Sequence, residues 1–397
     1  MLIMPGPGSY VEDTENSRMN TIEQIAELGQ SIWFDNISRG MIKKGTLASL
    51  VQQGLRGVTS NPTIFDKAIS GSKDYDDQMK AMLDRTPDMP AVRIIEALMI
   101  KDIQDAADVL KPVYDRTSGG DGYVSIEVSP GIARDADATM EEVRRLWNTV
   151  QRRNLMVKIP ATRQGLPAIE QMLSEGININ ITLLFAVERY RAVATAYLAA
   201  LERRVKEGKP IDHVASVASV FVSRIDTLVD QELQRKIDAG GPEADRLRSL
   251  LGKVAVANSR MTYQAFKETF SGPRWEALRS KGARLQRPLW GSTGTKNPAY
   301  SDLLYVDTLI GPHTINTVPP QTWEAILDHG RPRLTIEEDL DGARATLSAL
   351  RSAGIDLTQV TDKLEQDGVA AFKKSFDDLS RSLEQKRPTF AGMAQVR

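Results

Sequence analysis

The sequence contains no cysteine among its 397 residues. Disulfides, thiolate nucleophiles and cysteine-ligated zinc or iron–sulfur sites are therefore excluded. Only three histidines are present, at His213, His313 and His329, and no two of them have the spacing of metal ligands. We therefore expect no metal site built on histidine.

An excess of charge of one sign and a long apolar run are also absent. Lys and Arg total 51 and Asp and Glu total 52, which gives a formal net charge of −1. A nearly neutral chain without a basic block is a poor candidate for binding nucleic acid or an anionic membrane. No segment approaches the roughly 20 apolar residues of a membrane span, and the N-terminus lacks the features of a signal peptide. We therefore expect a cytoplasmic protein.

Eight short apolar runs alternate with long amphipathic segments. The runs cover residues 31–35, 57–60, 123–129, 155–159, 177–182, 214–221, 285–292 and 313–317. Strand–helix alternation repeated eight times predicts an α/β protein whose parallel strands close into a (β/α)8 TIM barrel. The alternative is an open doubly wound sheet, but no run is followed by a glycine-rich dinucleotide fingerprint.

Three segments exceed a minimal barrel. Residues 1–19 are rich in Pro and Gly and then in charge, and we predict a flexible arm there. Residues 228–270 are predicted to form two long helices joined at residues 239–242, where Gly-Gly-Pro favours a turn. Residues 336–397 are predicted to be a helical extension packed on the barrel. Since no linker or repeat marks a second domain, we predict one domain over residues 1–397.

Three charged residues fall on the interior face of predicted strands. Side chains alternate across a strand, and in a barrel one set faces the helices while the other fills the interior. By this alternation Asp35, Glu127 and Lys158 point inward near the C-terminal ends of their strands, where barrels carry their active sites. Buried charges are unfavourable unless they are paired or functional. We interpret the three as catalytic candidates, and a structural ion-pair network is the alternative.

A lysine and two carboxylates in one interior can perform carbonyl chemistry. Burial disfavours the ammonium form of a lysine, and the neutral amine can attack a carbonyl to form a Schiff base. The protonated imine then draws electrons from an adjacent carbon–carbon bond as it breaks, while carboxylates move protons. The combination indicates a Schiff-base aldolase-type reaction that needs no metal. A lysine that binds phosphate is the alternative.

Four segments resemble motifs of the transaldolase family. Residues 57–65, Gly-Val-Thr-Ser-Asn-Pro-Thr-Ile-Phe, resemble the signature on its second strand. Residues 157–162, Val-Lys-Ile-Pro-Ala-Thr, resemble the motif around its Schiff-base lysine. Residues 179–185 and 217–226 are similar to its fifth and sixth strands. Because the four matches are independent and follow one another in the family's order, the resemblance covers most of the barrel.

The resemblance implies a transferase of the non-oxidative pentose phosphate pathway that moves a dihydroxyacetone unit. The donor would be sedoheptulose 7-phosphate or fructose 6-phosphate, and the acceptor glyceraldehyde 3-phosphate or erythrose 4-phosphate. These sugar phosphates would be its partners, with no nucleic acid or membrane and no cofactor. The chain is expected to act as a monomer or homodimer.

The resemblance also implies roles for single residues. Lys158 would be the nucleophile, and Asp35 would take the proton from the donor C4 hydroxyl. Glu127 and Thr182 would hold the water that relays protons during imine formation. Four further residues would bind substrate. Asn61 and Asn180 would form hydrogen bonds with the dihydroxyacetone unit. Ser219 would contact the substrate, and Arg224 would bind its phosphate. A solvated arginine at a helix start is the alternative for Arg224.

The seventh strand departs from the family pattern. Residues 289–298 are similar to the longer bacterial members, but Gly294 stands where the resemblance implies a second phosphate-binding arginine. Ser292 and Lys296 offer a hydroxyl and a cation nearby, in a region where barrels commonly bind phosphate. We include both as substrate-binding candidates, and an exposed loop lysine is the alternative for Lys296.

Two other functions fit parts of this pattern. An aldolase would release free dihydroxyacetone instead of transferring it. A non-catalytic sugar-phosphate sensor would keep Arg224 but would not need Lys158, Asp35 and Glu127 together.

Overall fold

Eight parallel strands close into a barrel in the computed structural model, which describes residues 19–391. The strands are β1 (Gln30–Phe34), β2 (Gly57–Val58), β3 (Tyr123–Glu127), β4 (Leu155–Pro160), β5 (Ile179–Leu184), β6 (Ser216–Phe221), β7 (Arg287–Gly291) and β8 (Thr314–Val318). Each strand pairs with the next in chain order, and β8 pairs with β1. The predicted (β/α)8 barrel is confirmed, and the open doubly wound sheet is excluded.

Helices connect every pair of consecutive strands and cover the barrel. They are α1 (Thr21–Glu27), α2 (Arg39–Lys43), α3 (Thr46–Gln52), α4 (Pro62–Ser70), α5 (Asp76–Arg85), α6 (Ala91–Arg116), α7 (Ala136–Val150), α8 (Leu166–Ser174), α9 (Val187–Lys206), α10 (Ser223–Asp238), α11 (Ala244–Arg248), α12 (Val254–Thr269), α13 (Gly272–Arg279), α14 (Leu304–Asp307), α15 (Pro320–His329), α16 (Leu340–Ser352) and α17 (Leu357–Ala391). A 3₁₀ turn at Pro130–Ile132 follows β3. Among the described residues, no helix is both long enough and apolar enough to cross a membrane.

The segment after β6 differs from its prediction. Residues 228–270 hold the five-residue helix α11 between the two expected long helices, α10 and α12. The predicted turn is present, because Gly240 and Gly241 follow α10 with φ of 76° and 123°, values that glycine adopts without strain. The periodicity of the sequence did not reveal α11 because a helix of one and a half turns carries too few apolar positions.

The N-terminal arm was predicted from composition, and the C-terminal extension from its charge and helical periodicity. The predicted arm, residues 1–19, lies outside the described residues except for Met19. The C-terminal extension forms α16, which packs on α12, and α17, which packs along α4, α5 and α6. A single domain over residues 1–397 stays a prediction, because residues 1–18 and 392–397 are not described.

The barrel interior is divided into an apolar half and a polar half. Seven side chains fill the end where the strands begin: Trp33, Tyr123, Met156, Ala215, Val217, Leu289 and Ile315. Further toward the carboxyl ends, on the same inward face, lie Ser125 and Glu127 of β3, Lys158 of β4 and Asn180 of β5, all buried. The side-chain alternation that predicted inward charges therefore holds, and the polar half lies at the C-terminal ends of the strands.

Candidate active site

A cavity of about 220 Å³ opens at the carboxyl ends of the strands. Its polar lining comes from strand ends and from the segments that follow them: Asp35, Thr59, Asn61, Lys158, Thr182, Ser219, Arg224, Ser292, Lys296 and Thr317. Its apolar lining consists of Phe221, Leu289, Pro319 and Phe372. The cavity therefore combines groups able to move protons with cations and with apolar walls.

Strand register brings the central charged groups together. Glu127 on β3 is aligned with Lys158 on β4, and Lys158 is aligned with Asn180 on β5. Two residues further along the same two strands, Pro160 is paired with Thr182. Since aligned residues on neighbouring strands lie about 5 Å apart, the backbone alone places an acid beside the lysine.

Lys158 lies in a buried ion pair. Its Nζ is 3.1 Å from Oε2 of Glu127 and donates a hydrogen bond of 2.9 Å to the carbonyl oxygen of Ser60. Only 5% of the Lys158 side chain and 2% of the Glu127 side chain are exposed. Removing two charges from water is unfavourable, so each depends on the other for compensation.

Glu127 and Thr182 keep hydrogen-bonding capacity that the described residues do not use. Oε1 of Glu127 and Oγ1 of Thr182 are buried and have no hydrogen-bond partner within residues 19–391. Buried polar atoms are nearly always paired, so these two oxygens are available to a substrate or to a water. Burial raises the pKa of Glu127, and the charge of Lys158 acts in the opposite direction. A carboxyl with a raised pKa exchanges protons more readily near neutral pH.

Asp35 follows β1 and is held by a hydroxyl. Oγ1 of Thr59 donates a hydrogen bond of 2.7 Å to Oδ1 of Asp35 and lies 2.7 Å from Oγ1 of Thr317. Burial raises the pKa of Asp35, whereas the Thr59 hydrogen bond and the charges of Lys158 and Arg224 lower it. Asp35 is therefore a second carboxyl prepared for proton transfer, with a hydrogen-bond partner different from that of Glu127.

A chain of hydrogen bonds fixes the polar side chains next to Lys158. Ser219 donates a bond of 2.6 Å to Oδ1 of Asn180, and Nδ2 of Asn180 donates a bond of 3.0 Å to Oγ of Ser125. Ser219 reaches the cavity, whereas Asn180 is fully buried behind it. One N–H of the Asn180 amide is left over for another acceptor.

Two of the residues predicted to bind substrate lie at the start of a helix. Asn61 caps α4, because its Oδ1 accepts a 3.0 Å hydrogen bond from the N–H of Ile64, and the residue also lines the cavity. Arg224 lies in the first turn of α10 with its guanidinium carbon 5.0 Å from the ring centroid of Phe221. Burial lowers the pKa of Arg224, while the charges of Asp35 and Glu127 raise it. Arginine stays cationic in proteins, so the half-buried Arg224 supplies positive charge to the cavity.

The loop after β7 contributes Ser292 and Lys296. Ser292 has a φ of 53°, and its Oγ lies 3.0 Å from Oγ of Ser223. Lys296 is an exposed residue whose side chain nevertheless lines the cavity. A β-carbon built on Gly294 would lie 3.8 Å from Nζ of Lys296. The lysine head group therefore occupies the region next to the glycine where the family resemblance implied an arginine.

Eight of the ten predicted site residues line this one cavity: Asp35, Asn61, Lys158, Thr182, Ser219, Arg224, Ser292 and Lys296. Glu127 and Asn180 lie directly behind it, in contact with Lys158 and Ser219. Their individual roles stay predictions. Within residues 19–391, no three His, Asp or Glu side chains are grouped so that they could hold a metal ion.

Sequence reasoning missed two kinds of lining residue. Thr59, which donates to Asp35, and Thr317, which contacts Thr59, follow the interior alternation of the second and eighth predicted strands. Counting along those runs could therefore have found them. Phe221 and Phe372 are apolar and carry no chemical signal. Phe372 lies in α17, and its position depends on where that helix crosses the barrel.

The family model for transaldolase/fructose-6-phosphate aldolase matches residues 32–383 of the chain. The chain belongs to this family. It is 45% identical over 372 residues to the transaldolase of Trichodesmium erythraeum, covering 92% of this chain and 97% of that protein. It is 48% identical over 361 residues to the transaldolase of Thermobifida fusca, covering 90% and 96%. The transaldolase of Acidothermus cellulolyticus is 47% identical over 372 residues, covering 92% and 98%. The resemblance seen in the four motifs is thereby confirmed.

The raised pKa of Asp35 leads to a prediction about stability. Its pKa is raised from the ordinary 3.8 in the folded protein, so the folded state binds more protons than the unfolded state as pH rises above that value. The stability contributed by Asp35 is therefore lost as pH rises through the folded pKa. We expect Asp35→Asn to be more stable than wild type at pH 7 but catalytically inactive.

Denaturant unfolding at several pH values measures this effect. The difference in free energy of unfolding between Asp35→Asn and wild type should grow from about pH 4 toward neutral pH. The asparagine can keep the hydrogen bond from Thr59 through its own Oδ1. A variant less stable than wild type at pH 7 would mean that ionised Asp35 holds the fold together, contrary to the expectation.

Proposed function

We propose that the protein is a transaldolase that transfers a dihydroxyacetone unit between sugar phosphates through a Schiff base on Lys158. The observation that carries this proposal is the buried pair of Lys158 and Glu127 beside a cavity that also contains Asp35 and Arg224. An amine, two separate carboxyls and a cation are the groups that such a reaction on a phosphorylated ketose needs. The names of the relatives, at 45–48% identity, support the same activity.

Imine formation uses the ion pair. Glu127, 3.1 Å away, takes a proton from Lys158, and the neutral amine attacks the C2 carbonyl of the ketose phosphate to give a carbinolamine. The carbinolamine oxygen is protonated and leaves as water. Glu127 and Thr182, whose buried oxygens lack a partner within residues 19–391, would hold that water and pass its protons.

Carbon–carbon cleavage uses the second carboxyl. Asp35 takes the proton of the donor C4 hydroxyl, the C3–C4 bond breaks, and its electron pair passes through C3 and C2 to the imine nitrogen as an enamine. From fructose 6-phosphate the departing aldehyde is glyceraldehyde 3-phosphate. The enamine then attacks the acceptor aldehyde, Asp35 returns the proton to the new hydroxyl oxygen, and hydrolysis of the imine frees the product.

The phosphate is bound at the rim by Arg224, assisted by Lys296. Arginine presents a planar pair of donors that matches two phosphate oxygens, whereas lysine offers a single compact charge. Ser219, Asn61 and Ser292 would orient the hydroxyl groups of the sugar. We further propose that the protein acts in the cytoplasm as a monomer or homodimer, with sugar phosphates and neither nucleic acid nor membrane as its partners.

An aldolase that releases dihydroxyacetone is the second candidate, since the family model spans both activities. The two differ in the fate of the enamine after the first aldehyde has left. A transaldolase with donor alone stops at the covalent enamine, whereas an aldolase turns over. A non-catalytic sensor is less well supported, because sugar binding alone does not require a buried lysine with two carboxyls.

An assay with fructose 6-phosphate and erythrose 4-phosphate in the presence of a chelator tests the proposal. We expect sedoheptulose 7-phosphate and glyceraldehyde 3-phosphate in equal amounts, and no sustained turnover with fructose 6-phosphate alone. Lys158→Met should lose the transfer while circular dichroism shows a folded protein. Continued turnover of the donor alone would favour the aldolase, and activity retained in Lys158→Met would exclude the proposed nucleophile.

The phosphate contacts give a second prediction. Losing a charge-assisted contact costs about 1.5–3 kcal/mol, so Arg224→Ala should raise the KM for fructose 6-phosphate by roughly one to two orders of magnitude. Lys296→Ala should raise it by less, in the same direction. Neither variant should alter the slow reaction of unphosphorylated fructose, which is the control. Equal losses on both donors would show that the two residues act on the fold and not on the phosphate.

A further inference from the structure

One wall of the cavity comes from the C-terminal helix α17. Within the described part of the chain, every other lining residue lies on a strand or in the segment that directly follows it. Phe372 lies in α17, about 50 residues beyond β8, and is only 3% exposed. Its ring is thus enclosed between the helix and the cavity.

Contacts along one face of α17 fix this helix across the strand ends. Glu365 lies 3.6 Å from Arg189 in the first turn of α9, and Oγ of Ser375 lies 2.8 Å from Oγ1 of Thr63 in α4. Gly368 and Phe372 fall between them. Spacings of three and four residues place all four positions on the same side of a helix. Two opposite sides of the cavity mouth therefore hold α17 in position.

Gly368 brings the backbone of α17 close to Arg224, the residue proposed to bind phosphate. A β-carbon at this position would lie 2.8 Å from Cδ2 of Leu183 and 3.6 Å from Nη1 of Arg224. Leu183 has a φ of 56° at an irregularity in the pairing of β5, which turns this residue out of the regular strand. The helix can approach the site this closely because residue 368 has no side chain, and Phe372 follows one turn later.

The chemistry explains why an apolar wall matters here. After the first aldehyde leaves, the enamine can add to a second aldehyde, which is transfer. It can instead gain a proton at C3 to give an iminium ion, to which water adds before free dihydroxyacetone leaves and the Lys158 amine is regenerated. Both routes end with hydrolysis of an imine, so they differ in the proton that release requires at C3 of the enamine. An apolar wall that keeps water away from C3 removes a source of that proton and so disfavours release.

We propose that Phe372 is a specificity-determining residue that closes the cavity against water and so directs the enamine toward transfer instead of release. The inference rests on the proposed function. In this view the C-terminal helix is part of the active site, although it contributes no group that reacts. Phe372 acts with Phe221 and Leu289, which are also apolar and also line the cavity.

The ratio of two products tests this inference. With fructose 6-phosphate as donor and a fixed erythrose 4-phosphate concentration, free dihydroxyacetone and sedoheptulose 7-phosphate are measured together. Phe372→Ala should raise the ratio of release to transfer by about tenfold, which corresponds to about 1.4 kcal/mol between the two barriers. Phe372→Leu, which keeps an apolar wall, should stay near the wild-type ratio.

Leu383→Ala is the matched control. Leu383 is also 3% exposed and lies on α17, but it does not line the cavity. Both alanine variants remove a buried side chain from the same helix, so both should lower the melting temperature, and only Phe372→Ala should change the ratio. An unchanged ratio in Phe372→Ala, or an equal change in Leu383→Ala, would overturn the inference. Absence of any transfer in the wild type would contradict the proposed function instead.

Discussion

The ion pair between Lys158 and Glu127 is the interaction on which the rest of the site depends. Neither group could remain charged at this depth alone, since isolated buried charges are strongly unfavourable. The pairing of β3 with β4 sets their separation through the backbone, and the carbonyl oxygen of Ser60 accepts a further hydrogen bond from the ammonium group. A barrel suits this arrangement because neighbouring strands hold side chains more rigidly than loops do.

The division of the barrel interior follows from the same constraint. An aromatic and aliphatic layer fills the interior nearer the start of the strands, and the polar residues of the site line the cavity at the carboxyl ends. There the two carboxyls occupy different environments: Glu127 pairs with Lys158, and Asp35 accepts a hydrogen bond from Thr59. Burial raises the pKa of both, and their separate partners are consistent with separate steps of one reaction.

The sequence was sufficient for the strands and for the central charges. Alternation along short runs such as residues 123–129 and 155–159 places Glu127 and Lys158 inward whatever the details of packing. It was insufficient where position depends on distant contacts. The contact between Thr59 and Thr317 spans β1 and exists only because the barrel closes. Phe372 is one of several apolar residues at helical spacing in α17, and no local pattern distinguishes it from those that face the barrel's outer helices.

The most direct test of Lys158 as the nucleophile is to find which residue carries the covalent bond to the substrate. Borohydride reduces an imine to a stable secondary amine, so the protein is incubated with fructose 6-phosphate and borohydride, digested and mapped by mass spectrometry. We expect a three-carbon dihydroxyacetone adduct on the peptide that contains Lys158, in a yield approaching one per chain. An adduct on a different lysine, or none despite measurable transfer, would contradict it.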